Sequence, residues 1–355
     1  MGGPSLYTLV PYFLAAVFLL LLATLRGWRV HDQGVDRLLV LALILVAASA
    51  AASADLGTDA LSYHEYYDDL LFKDTPYGWW DPGFVWLALF FASVGAPFGV
   101  LVFVAVLSSH LIKLRVYSKL AQNTTLAFFT LFCFNLGEVA FARQYLAASI
   151  ILLTLYLLSR HRFVLAVLSI FAATLIHKTA FPVGALVVMI YYGRAALKPV
   201  ALFVMAVALV IFLLPGQLKQ AIMDRVLAQL FVYTAEGFVQ GLQDEQTSLL
   251  RNVSKFAVYA VIAFWMVILP AKNDTERLQR TAAYIVFALC AISLGLIAIS
   301  PVFSRFSVYI FPFLALAIRA ERFRPDPKQL PVQSAVVAML LVNLAVSMYP
   351  LMEYL

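Results

Sequence analysis

The amino-acid sequence predicts an all-α, polytopic integral membrane protein with about twelve transmembrane helices. Of its 355 residues, 63% are hydrophobic and only 12% are charged, about half the charged share of an ordinary soluble domain. A span needs about 20 apolar residues, so twelve spans occupy roughly 240 positions and leave little beyond connecting loops. The composition therefore excludes a soluble catalytic domain, a kinase and a nucleic-acid-binding module, and we expect no nucleic-acid partner.

The apolar runs locate the spans in chain order. The third run is interrupted by Gly95-Ala96-Pro97, so the stretch from Phe84 to Val94 is predicted to form a short re-entrant or interfacial piece. The first run has Arg26 and Arg29 after it and no basic residue before it. A cleaved signal peptide has the reverse polarity, so we expect a retained span with its N-terminus outside. The candidate spans cover residues 5–25, 38–54, 84–112, 121–137, 141–159, 163–176, 179–193, 199–214, 255–271, 281–300, 305–318 and 331–352.

The charge distribution supports this orientation. Alternating sides from an outside N-terminus places most of the 25 Lys and Arg residues in cytoplasmic loops, among them Lys113, Arg115, Arg160 and Arg162, and leaves most of the 19 acids outside. The acids concentrate in an outside loop at about 55–83. The other long outside loop, at about 215–254, opens with apolar residues at helical spacing, which predicts an interfacial helix. We therefore predict a single integral membrane domain, residues 1–355, with two outside loops that can handle a water-soluble group.

The first outside loop carries two candidate acids. Thr58 is a plausible N-cap of a helix that places Tyr63 and Tyr67 on one face and acidic residues on the other. This helix is predicted to lie on the membrane surface. Its side chains either anchor it there, as an aromatic belt with a solvated acidic face, or have a functional role. Asp59 and Asp81 lie beside Gly or Pro turns close to the membrane, where a carboxylate can be held against a substrate.

Two arginines are predicted at the outer edge of apolar helices, where an unpaired charge is costly. Arg143 lies within Glu138-Val139-Ala140-Phe141-Ala142-Arg143-Gln144-Tyr145, and Arg305 begins a span with Tyr309 one turn later. A guanidinium presents a planar fork that matches phosphate, so each arginine is a candidate anion clamp. The alternatives are an ion pair of Arg143 with Glu138 and a snorkelling role for Arg305.

A histidine and a lysine lie at a third outer edge, in the sequence Ile176-His177-Lys178-Thr179-Ala180. His177 can serve as a general base or donate to a phosphate or a sugar hydroxyl. Three basic groups and two or three acids are therefore predicted on the outer side, which suits a lipid-linked phosphate leaving group beside an acceptor hydroxyl. Because no zinc, P-loop or dinucleotide motif is present, we expect neither a metal nor a cofactor.

The order of these motifs resembles the EpsG/Wzy-type family of bacterial polysaccharide polymerases. The resemblance runs from Gly57-Thr58-Asp59 through Asp81-Pro82-Gly83-Phe84 and Ala142-Arg143-Gln144-Tyr145-Leu146-Ala147 to His177-Lys178-Thr179-Ala180 and Arg305-Phe306-Ser307-Val308-Tyr309. Relatives usually have Glu where this chain has Asp81, and often have an arginine shortly before the Gly-Thr-Asp stretch, where this chain has Ser53-Ala54-Asp55.

The resemblance implies a GT-C-like helical scaffold that polymerises undecaprenyl-diphosphate-linked oligosaccharides at the outer face of the bacterial inner membrane. We expect an inverting, metal-independent glycosyl transfer in which Arg143 and Arg305 bind the diphosphate and either Asp59 or His177 deprotonates the acceptor hydroxyl. The expected partners are the lipid-linked donor and acceptor, the bilayer, a chain-length regulator and a flippase. Further substrate contacts are expected from Lys178, Gln144, Tyr63, Asp81, Glu138 and Tyr309.

Three other activities fit the same sequence features. A lipid-linked glycan transporter would move the substrate without forming a linkage. A membrane acyltransferase would need His177 to be reachable from the cytoplasmic side. An O-antigen ligase or single-sugar transferase would share the chemistry and differ in its acceptor and product length.

Overall fold

The computed structural model describes residues 33–53, 58–70, 81–134, 142–193, 249–268, 270–297 and 306–318, with the isolated positions 18 and 218. Within these residues the chain forms eleven α-helices and no strand, which confirms the predicted helical class. The helices are α1 Gln33–Ser53, α2 Thr58–Asp69, α3 Pro82–Ser93, α4 Phe98–Leu120, α5 Thr124–Phe134, α6 Ala142–Ser159, α7 Phe163–Ile176, α8 Ala180–Tyr192, α9 Leu249–Val267, α10 Asp274–Ile297 and α11 Ser307–Ala317.

Among the described residues, three helical segments are long and apolar enough to cross a membrane: α4, α6 and residues Asp274–Gly295 of α10. Shorter apolar helices accompany them, and α7 exposes Val164 and Phe171 by 70% and 61%, as a face directed towards lipid does. The described part of the chain is thus a helical membrane protein. The predicted total of about twelve spans also includes 5–25, 199–214 and 331–352, which lie outside the described residues except for position 18. The interfacial helix predicted at the start of loop 215–254 also lies outside them, except for position 218.

The interrupted third run forms two helices, as the sequence predicts. α3 ends at Ser93, and Gly95 follows with φ +71°, a left-handed conformation that costs little only without a Cβ. Pro97 then stands immediately before α4, where its missing N–H leaves no helical bond unmade. The break therefore follows from these two residues.

The loop predicted between the spans 84–112 and 121–137 is wrong, because α4 continues to Leu120. Lys113 is completely buried inside α4, where its Nζ donates to Ser109 Oγ at 2.9 Å. Ser109 Oγ in turn shares a 2.7 Å hydrogen bond with Ser149 Oγ of α6. Since a hydroxyl of the same helix, itself hydrogen-bonded to α6, accepts from the ammonium group, the charge does not end the helix.

The hairpin of α6 and α7 defines two ends of the molecule. The Arg162 N–H donates to the Leu157 carbonyl and the His161 N–H to the Leu158 carbonyl, both at 2.9 Å, with His161 at φ 57°. This arrangement is a Schellman motif, which ends α6 and turns the chain back into α7. The start of α6 and the end of α7 therefore lie together, roughly 20–27 Å from the α6–α7 turn at 1.5 Å per residue.

α6 is the central helix and packs against α4, α7, α8 and α11. α11 is fixed by side chains of its neighbours. Tyr117 of α4 donates to the Pro312 carbonyl at 2.9 Å, and Gln279 of α10 donates to the carbonyls of Leu316 and Ile318 at 3.2 Å each. Cys133 and Cys290 are both buried in the core, as small apolar residues are.

α2 and α3 close the end of the molecule at which α6 begins. Tyr63 and Tyr67 of α2 are buried against α3 and α4, whereas Glu65 and Asp68 are exposed. The Tyr67 hydroxyl donates to the Ala96 carbonyl at 2.6 Å. The predicted two-faced character of this helix is confirmed for its described side chains.

Replacing Gly83 by alanine is expected to destabilise the protein by about 1–3 kcal/mol. A Cβ at Gly83 would lie 2.9 Å from the backbone carbon and oxygen of Leu175, so α3 and α7 would have to separate. Thermal unfolding of the purified protein measures the effect. Gly193→Ala is the matched control, because a Cβ there meets nothing within 4 Å. Equal melting temperatures for the two variants would contradict close packing of α3 on α7.

Candidate functional site

Arg143 and Asp81 form a buried pair at the end of the molecule where α6 begins. Arg143 is the second residue of α6, and Asp81 is the N-cap of α3. Arg143 Nη1 lies 3.6 Å from Asp81 Oδ2, and each side chain is only 6% exposed. The distance is that of an ion pair and is longer than a direct hydrogen bond. Asp81 is thus a carboxylate partner of Arg143. Glu138, the alternative partner considered from the sequence, lies outside the described residues.

Tyr63 adds an aromatic contact to the guanidinium. Its ring centre lies 5.5 Å from Arg143 Cζ, within the range of a cation–π contact. The same ring packs against Phe84 at 6.5 Å between centres. α2 therefore contributes an aromatic surface to the site. Asp59 lies in the first turn of this helix, four residues before Tyr63, and its side chain is outside the described residues.

Asp81 lies in an environment that balances burial against positive charge. The backbone N–H of Lys178 donates to its carboxylate, and the charges of Arg143 and Lys178 stabilise the ionised form. Burial has the larger effect and raises the pKa of Asp81 above its ordinary value. The carboxyl group therefore takes up a proton at a higher pH than an exposed aspartate does.

His177 belongs to a chain of three side chains. Thr179 Oγ1 lies 2.6 Å from His177 Nδ1 and 2.9 Å from the Tyr309 hydroxyl, so it connects the turn between α7 and α8 to α11. Asp81 and Arg143 both act electrostatically on Tyr309. The chain and the ion pair are thus parts of one site.

The direction of the hydrogen bonds in this chain decides what His177 can do. When Nδ1 carries the proton, it donates to Thr179 Oγ1, which donates to the Tyr309 oxygen. A neutral imidazole then leaves Nε2 as its acceptor, the state that a general base requires. Thr179 therefore fixes the orientation of the His177 ring.

The structure brings together most of the site residues predicted from the sequence. Five come from chain segments that are distant in sequence: Tyr63, Asp81, Arg143, His177 and Tyr309. Lys178 joins them through its backbone N–H. Gln144 is buried beside Arg143, and its Oε1 accepts no hydrogen bond within the described residues. Arg305 lies outside the described residues, four positions before Tyr309.

Thr179 belongs to this cluster but is not among the site residues predicted from the sequence. A threonine is common in any loop, and only its place two residues after His177 and at the N-cap of α8 marks it. Its role depends on α11 arriving from far along the chain. In the described ranges, no group of three or more His, Cys, Asp or Glu side chains is placed to hold a metal ion.

Replacing Thr179 by valine is expected to lower turnover by about tenfold, because the imidazole loses the hydrogen bond that orients it. The shape of the side chain is nearly unchanged, so folding should persist. Thr179→Ser keeps the hydroxyl and should retain most activity. The measurement is the pH profile of turnover by the purified variants on the substrate proposed below. A loss of activity equal in Thr179→Ser and Thr179→Val would contradict the positioning role.

Comparison with known proteins places this site in a family. The EpsG family model matches residues 37–353, which include every residue of the site. No curated protein and no solved structure matches the chain. Since the match spans most of the 355 residues, the chain belongs to the EpsG family.

Proposed function

We propose that this protein polymerises oligosaccharide units carried on undecaprenyl diphosphate, at the outer face of the bacterial inner membrane. The observation that carries the proposal is the convergence of Arg143, Asp81 and His177 in one buried cluster at one end of the helical bundle. The family membership agrees with a polysaccharide polymerase. The product is an exopolysaccharide, a capsule or an O-antigen chain.

Arg143 is proposed to bind the diphosphate leaving group. Its guanidinium lies in a site from which water is largely excluded, where it stabilises the negative charge that grows as the glycosidic phosphate bond breaks. Asp81 and Tyr63 hold the guanidinium in place from two directions. Arg305 is proposed as a second clamp, because it precedes Tyr309 by four residues on the same chain segment.

His177 is proposed as the general base. Nε2 accepts the proton of an acceptor hydroxyl, the hydroxyl oxygen attacks the anomeric carbon, and the bond from that carbon to the diphosphate breaks. This single displacement inverts the anomeric configuration. The hydrogen-bonded chain through Thr179 to Tyr309 supports His177 in this role. Asp59 stays the second candidate.

The remaining substrate contacts follow from position. Tyr63 presents an aromatic ring, and Gln144 and Lys178 lie beside the pair and can donate to phosphate or sugar oxygens. The donor and the acceptor are both lipid-linked glycans held in the bilayer. A flippase that delivers them and a regulator of chain length are the proposed protein partners, and a GT-C-like arrangement is the proposed scaffold.

Incubation of the purified, reconstituted protein with a lipid-linked oligosaccharide tests this function. A ladder of longer glycans, formed without nucleotide sugar and absent with His177→Ala, supports polymerisation. A single addition to another acceptor would identify a ligase or single-sugar transferase. An unchanged oligosaccharide that crosses the vesicle membrane would identify a transporter and overturn the proposal.

A further inference from the structure

A second charged site lies at the opposite end of the α6–α7 hairpin from the candidate active site. A cavity of about 300 Å³ is lined by Arg115, Tyr156, Arg160 and Arg162. Arg115 comes from the last turns of α4, Tyr156 from the last turn of α6, and the other two arginines from the turn that follows. Three arginines thus line one cavity, and none of its lining residues in the described part of the chain is acidic.

Backbone hydrogen bonds fix the turn that carries two of these arginines. The Schellman motif at the end of α6 fixes Arg160 and Arg162 on either side of His161, a non-glycine residue in the left-handed conformation. Arg160 Cζ lies 5.6 Å from the centre of the Tyr156 ring, in a cation–π contact. The carbonyl groups at the C-terminus of α6 also favour positive charge there. The turn that carries Arg160 and Arg162 is therefore fixed before any ligand binds.

The chemistry of the lining selects an anion with several oxygen atoms. Like charges brought together around one cavity repel each other, and a phosphate relieves that repulsion while it accepts hydrogen bonds from the planar guanidinium forks. The positive-inside rule, which orients a membrane protein, requires only that basic residues lie on the cytoplasmic side. It does not require that three arginines from one helix and a turn share a cavity with a tyrosine of a second helix.

The neighbouring surface indicates where the phosphate comes from. Directly after Arg162, the first turns of α7 expose Phe163, Val164 and Leu168 by 50%, 70% and 55%. Such a face accommodates acyl chains, whereas a water-soluble anion would gain nothing from it. The charge distribution of the sequence places this end of the hairpin in the cytoplasmic leaflet, where anionic lipids attract basic groups.

We propose that this cavity binds the phosphate of an anionic phospholipid of the cytoplasmic leaflet, with the acyl chains lying along α7. The site is separate from the glycan chemistry and lies at the other end of the same two helices. Its occupant would hold the turn between α6 and α7 at the membrane surface. Binding of this lipid should directly raise the thermal stability of the protein and should not act directly on the chemical step.

Native mass spectrometry and thermal unfolding of the detergent-solubilised full chain test the proposal. Titration with phosphatidylglycerol is expected to yield a retained lipid and a higher melting temperature, whereas phosphatidylcholine yields neither. The double variant Arg115→Gln/Arg160→Gln should weaken phosphatidylglycerol binding by about tenfold or more, since it removes charged hydrogen-bond donors. Arg160→Lys keeps the charge and should also weaken binding, because it loses the fork.

Two matched controls remove a charge outside the cavity. Lys119→Gln alters an exposed lysine at the same end of α4, and Arg277→Gln alters an exposed arginine that pairs with Asp274 at 3.3 Å. Both should bind phosphatidylglycerol as the unaltered protein does. If phosphatidylglycerol binding were weakened equally in the controls and in the double variant, net charge alone would explain the effect and the proposal would be overturned.

Two ligand comparisons separate the possible sources of the anion. Stabilisation by inorganic phosphate equal to that by phosphatidylglycerol would identify a soluble anion and refute a lipid site. Binding of a polyglutamate peptide without binding of phosphatidylglycerol would identify an acidic protein partner instead. Unaltered phosphatidylglycerol binding by a folded Arg115→Gln/Arg160→Gln variant would also refute the site, and none of these outcomes depends on glycan polymerisation.

Discussion

Replacing Arg143 by lysine is expected to lower polymerisation on the order of 100-fold while the protein stays folded. Lysine preserves the positive charge opposite Asp81 and Tyr63, so the buried pair can still form. It cannot present two parallel N–H donors to a diphosphate, and the loss should appear mainly in turnover because the leaving-group charge develops in the transition state. The rate of glycan elongation at saturating lipid-linked oligosaccharide measures it.

Arg277→Lys provides the control for this substitution. Arg277 is exposed and paired with Asp274 within α10, outside the cluster that contains Arg143. The control should elongate glycans at the rate of the unaltered protein. Full activity in Arg143→Lys would show that a point charge is sufficient and would remove the argument for a bidentate clamp.

The residue types of the site could be predicted from the sequence, because charge at the edge of an apolar run needs an explanation. Arg143 and His177 each lie at such an edge, and a bilayer makes an unsatisfied charge there costly. The boundaries of α7 follow for the same reason. α7 covers the predicted residues 163–176, since Arg162 and His177 bracket an uninterrupted apolar segment.

The pairing of these residues could not be predicted, because it depends on packing between distant helices. Glu138 is near Arg143 in sequence, yet the structure places Asp81 there through the close approach of Gly83 to Leu175. The burial of Lys113 likewise depends on the hydroxyl of Ser109, which is hydrogen-bonded in turn to Ser149 of α6. The spacing of residues in the sequence shows neither the Asp81–Arg143 pair nor the burial of Lys113. It therefore identifies candidate residues without identifying their partners.

Replacing Arg143 by glutamine is expected to destabilise the protein by about 3 kcal/mol at neutral pH, because it leaves the Asp81 carboxylate buried without its nearest positive charge. Burial already raises the pKa of Asp81, and Arg143 opposes that shift, as Lys178 does to a smaller extent. Without Arg143 the pKa of Asp81 in the folded protein should rise further. Melting temperatures measured across a pH series report the effect.

The sign of the pH dependence follows from this shift. A carboxyl group whose pKa is higher in the folded state than in the unfolded state favours folding fully below its unfolded pKa, and this contribution is lost as the pH rises through the folded pKa. Arg143→Gln should therefore melt close to the unaltered protein in acid and progressively lower towards neutral pH. The double variant Asp81→Asn/Arg143→Gln carries no ionisable group at position 81, so its melting temperature at neutral pH should recover. Destabilisation that is the same at every pH and persists in the double variant would show that Asp81 is not the group whose charge Arg143 balances.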